Sequence, residues 1–361
     1  REDTVELPEG VRFYPVYFEE GKLPFPIVGM SDEMPYRSTR YCDMTPKMTA
    51  QFEEAFLESI TQAVREFGPD LILCHHLYLL TAVVRKHFPE YRVYGFCHNT
   101  DLRQMCKTDL EREFIREQIR KLDRIFVPQK AQREGVLAVY QAKPEKIEAV
   151  GMGYNSQIFH GGEEKKDDGV TRIVFAGKIA EKKGVMSLIR SLSVLYSQKG
   201  ACVRDELLVQ LAGSAGNQEE YGQIRQMAEE CPYEVRFLGR LSQPELARVY
   251  REGDIFVLPS FFDGLPLTVI EALACRMRVV MSDLPGIREW LLASAPGGDV
   301  RFVEMPQMQN TDEPVPETLP AFEERLADAL LASIRTKEQK AADVSRISWE
   351  GIAAQVLTEF P

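Results

Sequence analysis

Asp254-Ile-Phe-Val-Leu-Pro-Ser-Phe-Phe-Asp-Gly-Leu-Pro-Leu-Thr-Val-Ile-Glu271 is the stretch whose reading decides the fold. Its apolar run Ile255–Leu258, stopped by Pro259, has the pattern of a buried strand. Residues 260–265 form a polar loop containing Gly264. Pro266 sits where a helix begins, and residues 268–276 continue it. Strand, loop and helix N-terminus in that order leave backbone N–H groups free beyond the sheet edge, a place that suits an anion. Two carboxylates flank it, Asp263 in the loop and Glu271 roughly one to two turns into the helix.

Working outward, the same βα rhythm fills residues 172–281. Strands are expected at 172–176, 207–212, 235–238, 255–258 and 278–281, with helices near 183–197, 219–230, 243–251 and 267–276. Two more helices, near 321–336 and 348–360, follow a Pro-rich acidic loop at 310–320. Upstream, strands at 11–18, 71–74, 92–97, 124–127 and 147–150 alternate with helices at 51–66, 79–86, 102–121 and 130–140. Residues 19–50 lack periodicity and read as a functional or mobile loop. Residues 151–168, Gly-rich and then charged, read as a linker. A chain of 361 residues accommodates two domains of this kind. The expectation is an α/β protein of two doubly wound domains, with a ligand cleft where the C-terminal strand ends face each other.

Composition narrows the function classes. A net charge of −11 argues against a general nucleic-acid surface. Seven scattered cysteines without a C-x-x-C pair point to reduced thiols and a cytoplasmic location. No apolar run reaches the ~18 residues that span a bilayer. Arg112, Arg116, Arg120 and Arg124 form a row at helical spacing. It reads as a solvated face beside Glu113 and Glu117, or as a patch for an anionic lipid surface or a phosphorylated acceptor. Cys74, His75, His76, Cys97, His98 and Cys106 match no standard zinc spacing, and neighbours on a strand point to opposite faces, so no metal is expected.

Three turns after strands are candidates for a ligand. Gly177, Lys178, Lys183 and Gly184 combine close backbone approach with positive charge near a helix start, which suits a diphosphate. The Walker A spacing is absent. Residues 211–216 form a second Gly-rich turn without a dinucleotide fingerprint. Gly239-Arg240-Leu241 could offer backbone groups to a nucleobase. Each alone also fits ordinary turn chemistry. His98, at the end of its strand, reads equally as a ligand or as a structural histidine.

Taken in order, these motifs resemble the retaining GT-B glycosyltransferases of family 4. The E-x7-E element aligns with Asp263 through Glu271. The phosphate element aligns with Gly177-Lys178 and Lys183-Gly184. Residues 282–289 are similar to the family's turn after the last strand, His98-Asn-Thr-Asp101 to its N-domain histidine loop, and Ser348-Trp349-Glu350 to the start of its final helix. The resemblance covers most of the chain. It implies an acceptor-side domain over 1–155, a nucleotide-sugar domain over 156–340, and a last helix, 341–361, crossing back to the first domain. It also implies retaining transfer of a sugar from a nucleotide diphosphate sugar to a glycan or lipid-linked acceptor in cell-surface polysaccharide or glycolipid synthesis.

By the same resemblance, Lys178 and Lys183 neutralise the donor diphosphate, aided by amides at Gly264, Leu265, Pro266 and Leu267. Glu271 receives the ribose hydroxyls. Asp263 and His98 contact the donor sugar, and Arg240 and Leu241 lie near the base. Lys183, Asp263 and His98 are thus the candidate catalytic residues. Neither a cofactor nor a metal is expected, and peripheral contact with the inner membrane face is. Three letters depart from the family pattern. Asp263 stands for the usual Glu, Lys178 for the usual Arg, and Arg276 for a common Gly. The family's first strand and its Gly-rich loop have no counterpart before Val11, so a start truncated by about fifty residues is expected on this resemblance. The rival readings are a non-catalytic nucleotide-sugar-binding subunit and a GT-B sugar-nucleotide epimerase.

Overall fold

The computed structural model describes residues 7–31, 34, 36–162, 168–198, 207–336 and 341–358. The middle of the expected linker and the end of the expected last helix lie outside the described residues. The chain divides into two compact units, residues 1–151 and 152–361, the last helix falling within the second.

In the first unit, β1 (Val28–Gly29) and β2 (Thr39–Arg40) pair in parallel ahead of α1 (Pro46–Phe67). The main sheet follows as β3 (Leu71–His75), α2 (Leu79–His87), β4 (Arg92–Phe96), α3 (Asn99–Lys107), α4 (Arg112–Arg120), β5 (Arg124–Val127), α5 (Lys130–Tyr140) and β6 (Ile147–Ala149). Its order is β3-β4-β5-β6, all parallel. Three expectations need correction. Residues 11–17 form no strand, although their apolar content suggested one. They lie along α1, where Ser59 Oγ donates to the Tyr14 carbonyl at 3.1 Å and Tyr14 Oη donates to Glu66 at 2.7 Å. α1 starts earlier than read, because Thr45 caps it by accepting from Met48 N and Pro46 is preorganised for a first turn. The single helix read over 102–121 is two helices, broken where Glu111 takes a left-handed φ of 46°.

The second unit contains β7 (Thr171–Ala176), α6 (Val185–Gln198), β8 (Leu207–Ala212), α7 (Gln218–Glu229), β9 (Glu234–Gly239), α8 (Gln243–Glu252), β10 (Ile255–Leu258), α9 (Leu267–Ala274) and β11 (Arg278–Ser282). After these come α10 (Ile287–Ser294), β12 (Val300–Val303), α11 (Leu319–Arg335) and α12 (Trp349–Thr358). α10 and β12 were not read from the sequence. The parallel sheet runs β12-β11-β10-β7-β8-β9. Every residue of β10 and β11 is buried, as expected for central strands covered on both faces. The chain builds β7, β8 and β9 outward to one side, then returns to build β10, β11 and β12 on the other. The topological switch therefore lies between β7 and β10, paired at Ile173 and Ile255. In such sheets the loops diverge at the carboxyl ends of those two strands, and ligands bind in the crevice they leave. The loop after β10 is the stretch quoted first, and the loop after β7 carries the lysines.

Candidate functional site at the strand ends of the second unit

Close backbone approach shapes the site. Gly213, at φ +147°, lies so near the Gly177 carbonyl that a Cβ would come within 1.8 Å of the oxygen. Gly177 N donates to Ala212 O at 3.0 Å and Gly213 N to Gly239 O at 2.8 Å, tying together the ends of β7, β8 and β9. Gly184, at φ +71°, precedes α6, and a Cβ there would fall 2.0 Å from the Pro259 carbonyl. Only glycine combines that conformation with that contact. Phe261 N donates to Lys182 O at 3.1 Å, so the two loops at the switch point are joined directly.

Within this frame, Lys183 Nζ lies 2.8 Å from Asp263 Oδ2 and donates to the Phe262 carbonyl at 3.2 Å. Both side chains of the pair are partly buried, at 23% and 24% exposure. Lys178 has no acceptor among the described residues. Its ammonium reaches over the second Gly-rich turn, where a Cβ on Gly216 would meet Nζ at 2.4 Å. Both lysines stand in the segment after β7, but only Lys178 lines the cavity over the strand ends, whereas Lys183, Asp263 and Glu271 do not; one lysine is paired and the other is not.

The helix terminus offers fewer amides than its pattern suggested. Pro266 has no N–H. Leu267 N is bonded to Leu265 O at 3.0 Å, and Gly264 N to Asp263 Oδ1 at 3.1 Å. Positive charge at this site therefore comes chiefly from side chains. Glu271, in α9, is 9% exposed. Burial pushes its carboxyl from 4.5 up to about 7, and no described residue donates to it. A buried carboxylate without donors is a costly arrangement in isolation and a fit for hydroxyls brought by a ligand.

A cavity of about 430 Å³ opens over these strand ends, lined by Gly177, Lys178, Gly213, Arg240, Leu241 and Thr268 among others. Thr268, one helical turn before Glu271, was not singled out from the sequence. A larger cavity of about 820 Å³ lies on the other side of Lys178, against the acidic segment at 309–320. Size does not locate the site here. In the larger cavity Lys182 faces Asp312 at 3.6 Å and Arg190 faces Glu323 at 3.3 Å, so its other cations are already neutralised. The smaller one lies at the switch point.

His98 belongs to the first unit, as the residue before α3. Two further histidines, not singled out as partners from the sequence, lie beside it. His76 has a left-handed φ of 70°, which turns its ring back to within 4.4 Å of the His98 ring. Fully buried Asp101 accepts from His76 Nδ1 at 2.8 Å, Leu77 N at 2.8 Å and His98 N at 2.7 Å. His75 Nδ1 lies 3.4 Å from His98 Nε2. Burial and the neighbouring His76 hold His98 below its ordinary value. Among the described residues no group of three or more His, Cys, Asp or Glu side chains is arranged to hold a metal ion.

Three arginines of the row, Arg112, Arg116 and Arg120, bond backbone carbonyls. Arg116 Nε donates to Val139 O at 3.0 Å and Arg120 Nε to Tyr140 O at 2.7 Å, while Arg112 donates to Thr108 O. No described helix is long and apolar enough to cross a membrane.

Comparison with known proteins agrees with the fold. Residues 33–157 match the Glycosyltransferase Family 4 model and residues 157–297 the Glycosyl transferases group 1 model. The chain belongs to glycosyltransferase family 4 and has the GT-B fold. It is 24% identical over 227 residues to D-inositol 3-phosphate glycosyltransferase of Corynebacterium glutamicum, covering 60% of this chain and 51% of that one. It is 24% identical over 265 residues to alpha-maltose-1-phosphate synthase of Mycolicibacterium smegmatis, covering 67% and 64%. The chain spans about half the length of the first of these relatives. Among solved structures, Anabaena HepE in complex with UDP superposes with a TM-score of 0.57 at 13% identity, over 84% of this chain and 81% of that one. A Rickettsia africae glycosyltransferase gives 0.59 at 12% identity, over 89% and 83%.

Proposed function

We propose that this chain is a retaining glycosyltransferase that moves a sugar from a nucleoside diphosphate sugar to a hydroxyl of a glycan or lipid-linked acceptor. The observation that carries the reading is that the two loops joined at the switch point, with the helix that follows, carry an unpaired lysine, a lysine paired with Asp263 and a buried carboxylate without donors. A diphosphate needs the first two, and a ribose diol supplies what the third lacks. Arg240 and Leu241 line the cavity, which supports reading them as contacts for the base. The names of the relatives support the class, and the Anabaena protein binds UDP.

In this reading the acceptor hydroxyl attacks the anomeric carbon on the face from which the nucleoside diphosphate departs. The C–O bond to phosphate breaks, and the hydroxyl proton passes to the leaving phosphate. Lys178 and Lys183 stabilise the charge that develops there, in a site where such charges are only partly screened. Asp263 takes the sugar-contact role implied by the resemblance. A role in cell-surface glycan synthesis at the cytoplasmic side is part of the proposal. Membrane contact draws no support from the arginine row, three of whose members bond carbonyls.

The test is donor turnover with a panel of UDP-, GDP- and ADP-sugars, read as nucleoside diphosphate release. Lys183→Ala is expected to lower kcat by about 10², and Glu271→Ala to abolish nucleotide binding. Tight nucleotide binding with no hydrolysis or transfer in any donor–acceptor pair would leave the binding-subunit reading instead.

A further inference from the structure

The pair formed by Lys183 and Asp263 sets a condition on any ligand of the site. Of the three N–H donors on the Lys183 ammonium, one faces Asp263 Oδ2 at 2.8 Å and another the Phe262 carbonyl at 3.2 Å. The second oxygen of Asp263 accepts from Gly264 N at 3.1 Å, which fixes the carboxylate over the ammonium. Lys182, next in the chain, faces Asp312 across 3.6 Å and is more than half exposed, so it makes no comparable seat. A diphosphate entering the crevice meets Lys178 without a competitor and Lys183 with one. Two anions then share one ammonium in a site where neither is fully solvated.

Resting on the glycosyltransferase reading, we infer that Asp263 is an internal counter-anion for Lys183, which the donor diphosphate displaces on binding and which returns as the product leaves. This gives Asp263 a role in charge selection besides its sugar contact. A nucleoside or monophosphate brings too little charge to take Lys183 from the carboxylate, whereas a diphosphate does. It also gives the loop at 260–265 a part in product release, because the returning carboxylate competes with the departing nucleoside diphosphate.

The experiment compares the full-length wild type with Asp263→Asn, using whichever of UDP, GDP and ADP binds the wild type most tightly, with its monophosphate and free nucleoside as controls. Calorimetric titration is expected to show Asp263→Asn binding the diphosphate about tenfold more tightly, the monophosphate less affected and the nucleoside unchanged. Asp263→Glu, which keeps the charge, is expected to bind the diphosphate like the wild type. The inference is overturned if Asp263→Asn binds the diphosphate equally or more weakly while its melting temperature and nucleoside affinity match the wild type. It is equally overturned if Asp263→Glu tightens binding as much as Asp263→Asn does. Should the asparagine variant not fold, Asp263→Ser supplies the same charge removal. If none of the three diphosphates binds the wild type, the glycosyltransferase reading itself falls and takes the inference with it, an outcome distinct from the others.

Discussion

Glu271 shows how much one residue's chemistry depends on its surroundings. An isolated carboxyl in a helix titrates well below neutrality, and this one is pushed up to about 7 because burial removes its water without supplying donors. The consequence for stability has a definite sign. A carboxyl whose folded value is raised contributes stability that is fully present below its unfolded value of 4.5 and is lost as pH rises through about 7. The loss amounts to at most about 3 kcal/mol. Glu271→Gln removes the titration, so relative to the wild type it is expected to be more stable at pH 8 than at pH 5, measured by denaturant unfolding at both. Ligand binding runs the other way. Ribose hydroxyls donate to the ionised form, so affinity for a nucleoside diphosphate is expected to fall as pH drops below about 7, approaching tenfold per unit. The same series on Glu271→Gln isolates this effect from titration of the phosphate itself. Parallel pH profiles for the two proteins would remove Glu271 from the ribose site.

At the scale of elements, α4 and α5 show why a charge row cannot be read from spacing alone. The last carbonyls of a helix lack partners within it. Those of α5 at Val139 and Tyr140 are taken up by Arg116 and Arg120, reaching across from α4. Arg120→Ala is accordingly expected to lower the stability of the protein by about 1–3 kcal/mol, with no change in sedimentation with anionic vesicles. Unchanged stability together with lost vesicle binding would restore the lipid-facing reading. Much of the sheet framework was legible because β10 is a continuous apolar run stopped by Pro259, and β8 is apolar but for Gln210 and ends at the close-approach glycine Gly213. The break between α3 and α4 was not legible. It falls on Glu111, whose left-handed backbone replaces the Gly or Pro that normally signals a stop. Residues 11–17 misled in the opposite sense: their apolar content suggested a buried strand, yet Val11, Phe13 and Tyr17 are exposed and polar contacts hold the segment along α1. At the site, the order of lysines, glycines and carboxylates was readable. The burial of Glu271, the occupied amides of α9 and the convergence of His76 on His98 were not, because each depends on packing or on one dihedral angle.

For the molecule as a whole, the division of labour follows from where the chemistry sits. The two lysines, Asp263, Glu271 and the cavity over the switch point are all in the unit formed by residues 152–361, which has its own extensive core. The first unit has a separate core around β4, β5 and the helices against them. A ligand that binds only the native form stabilises it by RT ln(1 + [L]/Kd), about 2.7 kcal/mol at a hundredfold excess over Kd. That free energy is conferred first on the elements that touch the ligand. Hydrogen exchange of the full chain with a saturating nucleoside diphosphate is therefore expected to slow at 176–184, 212–216, 239–241 and 260–271. The β3–β6 sheet of the first unit should exchange as before. The peptide spanning 309–320 discriminates further, because it borders the larger cavity and not the crevice between β7 and β10. Protection confined to that peptide would move the nucleotide to the larger cavity. Protection centred on residues 75–101 would move it to the histidine cluster of the first unit. Either result would reassign the roles of Lys183 and Glu271, whereas protection at the four crevice segments keeps the donor at the switch point.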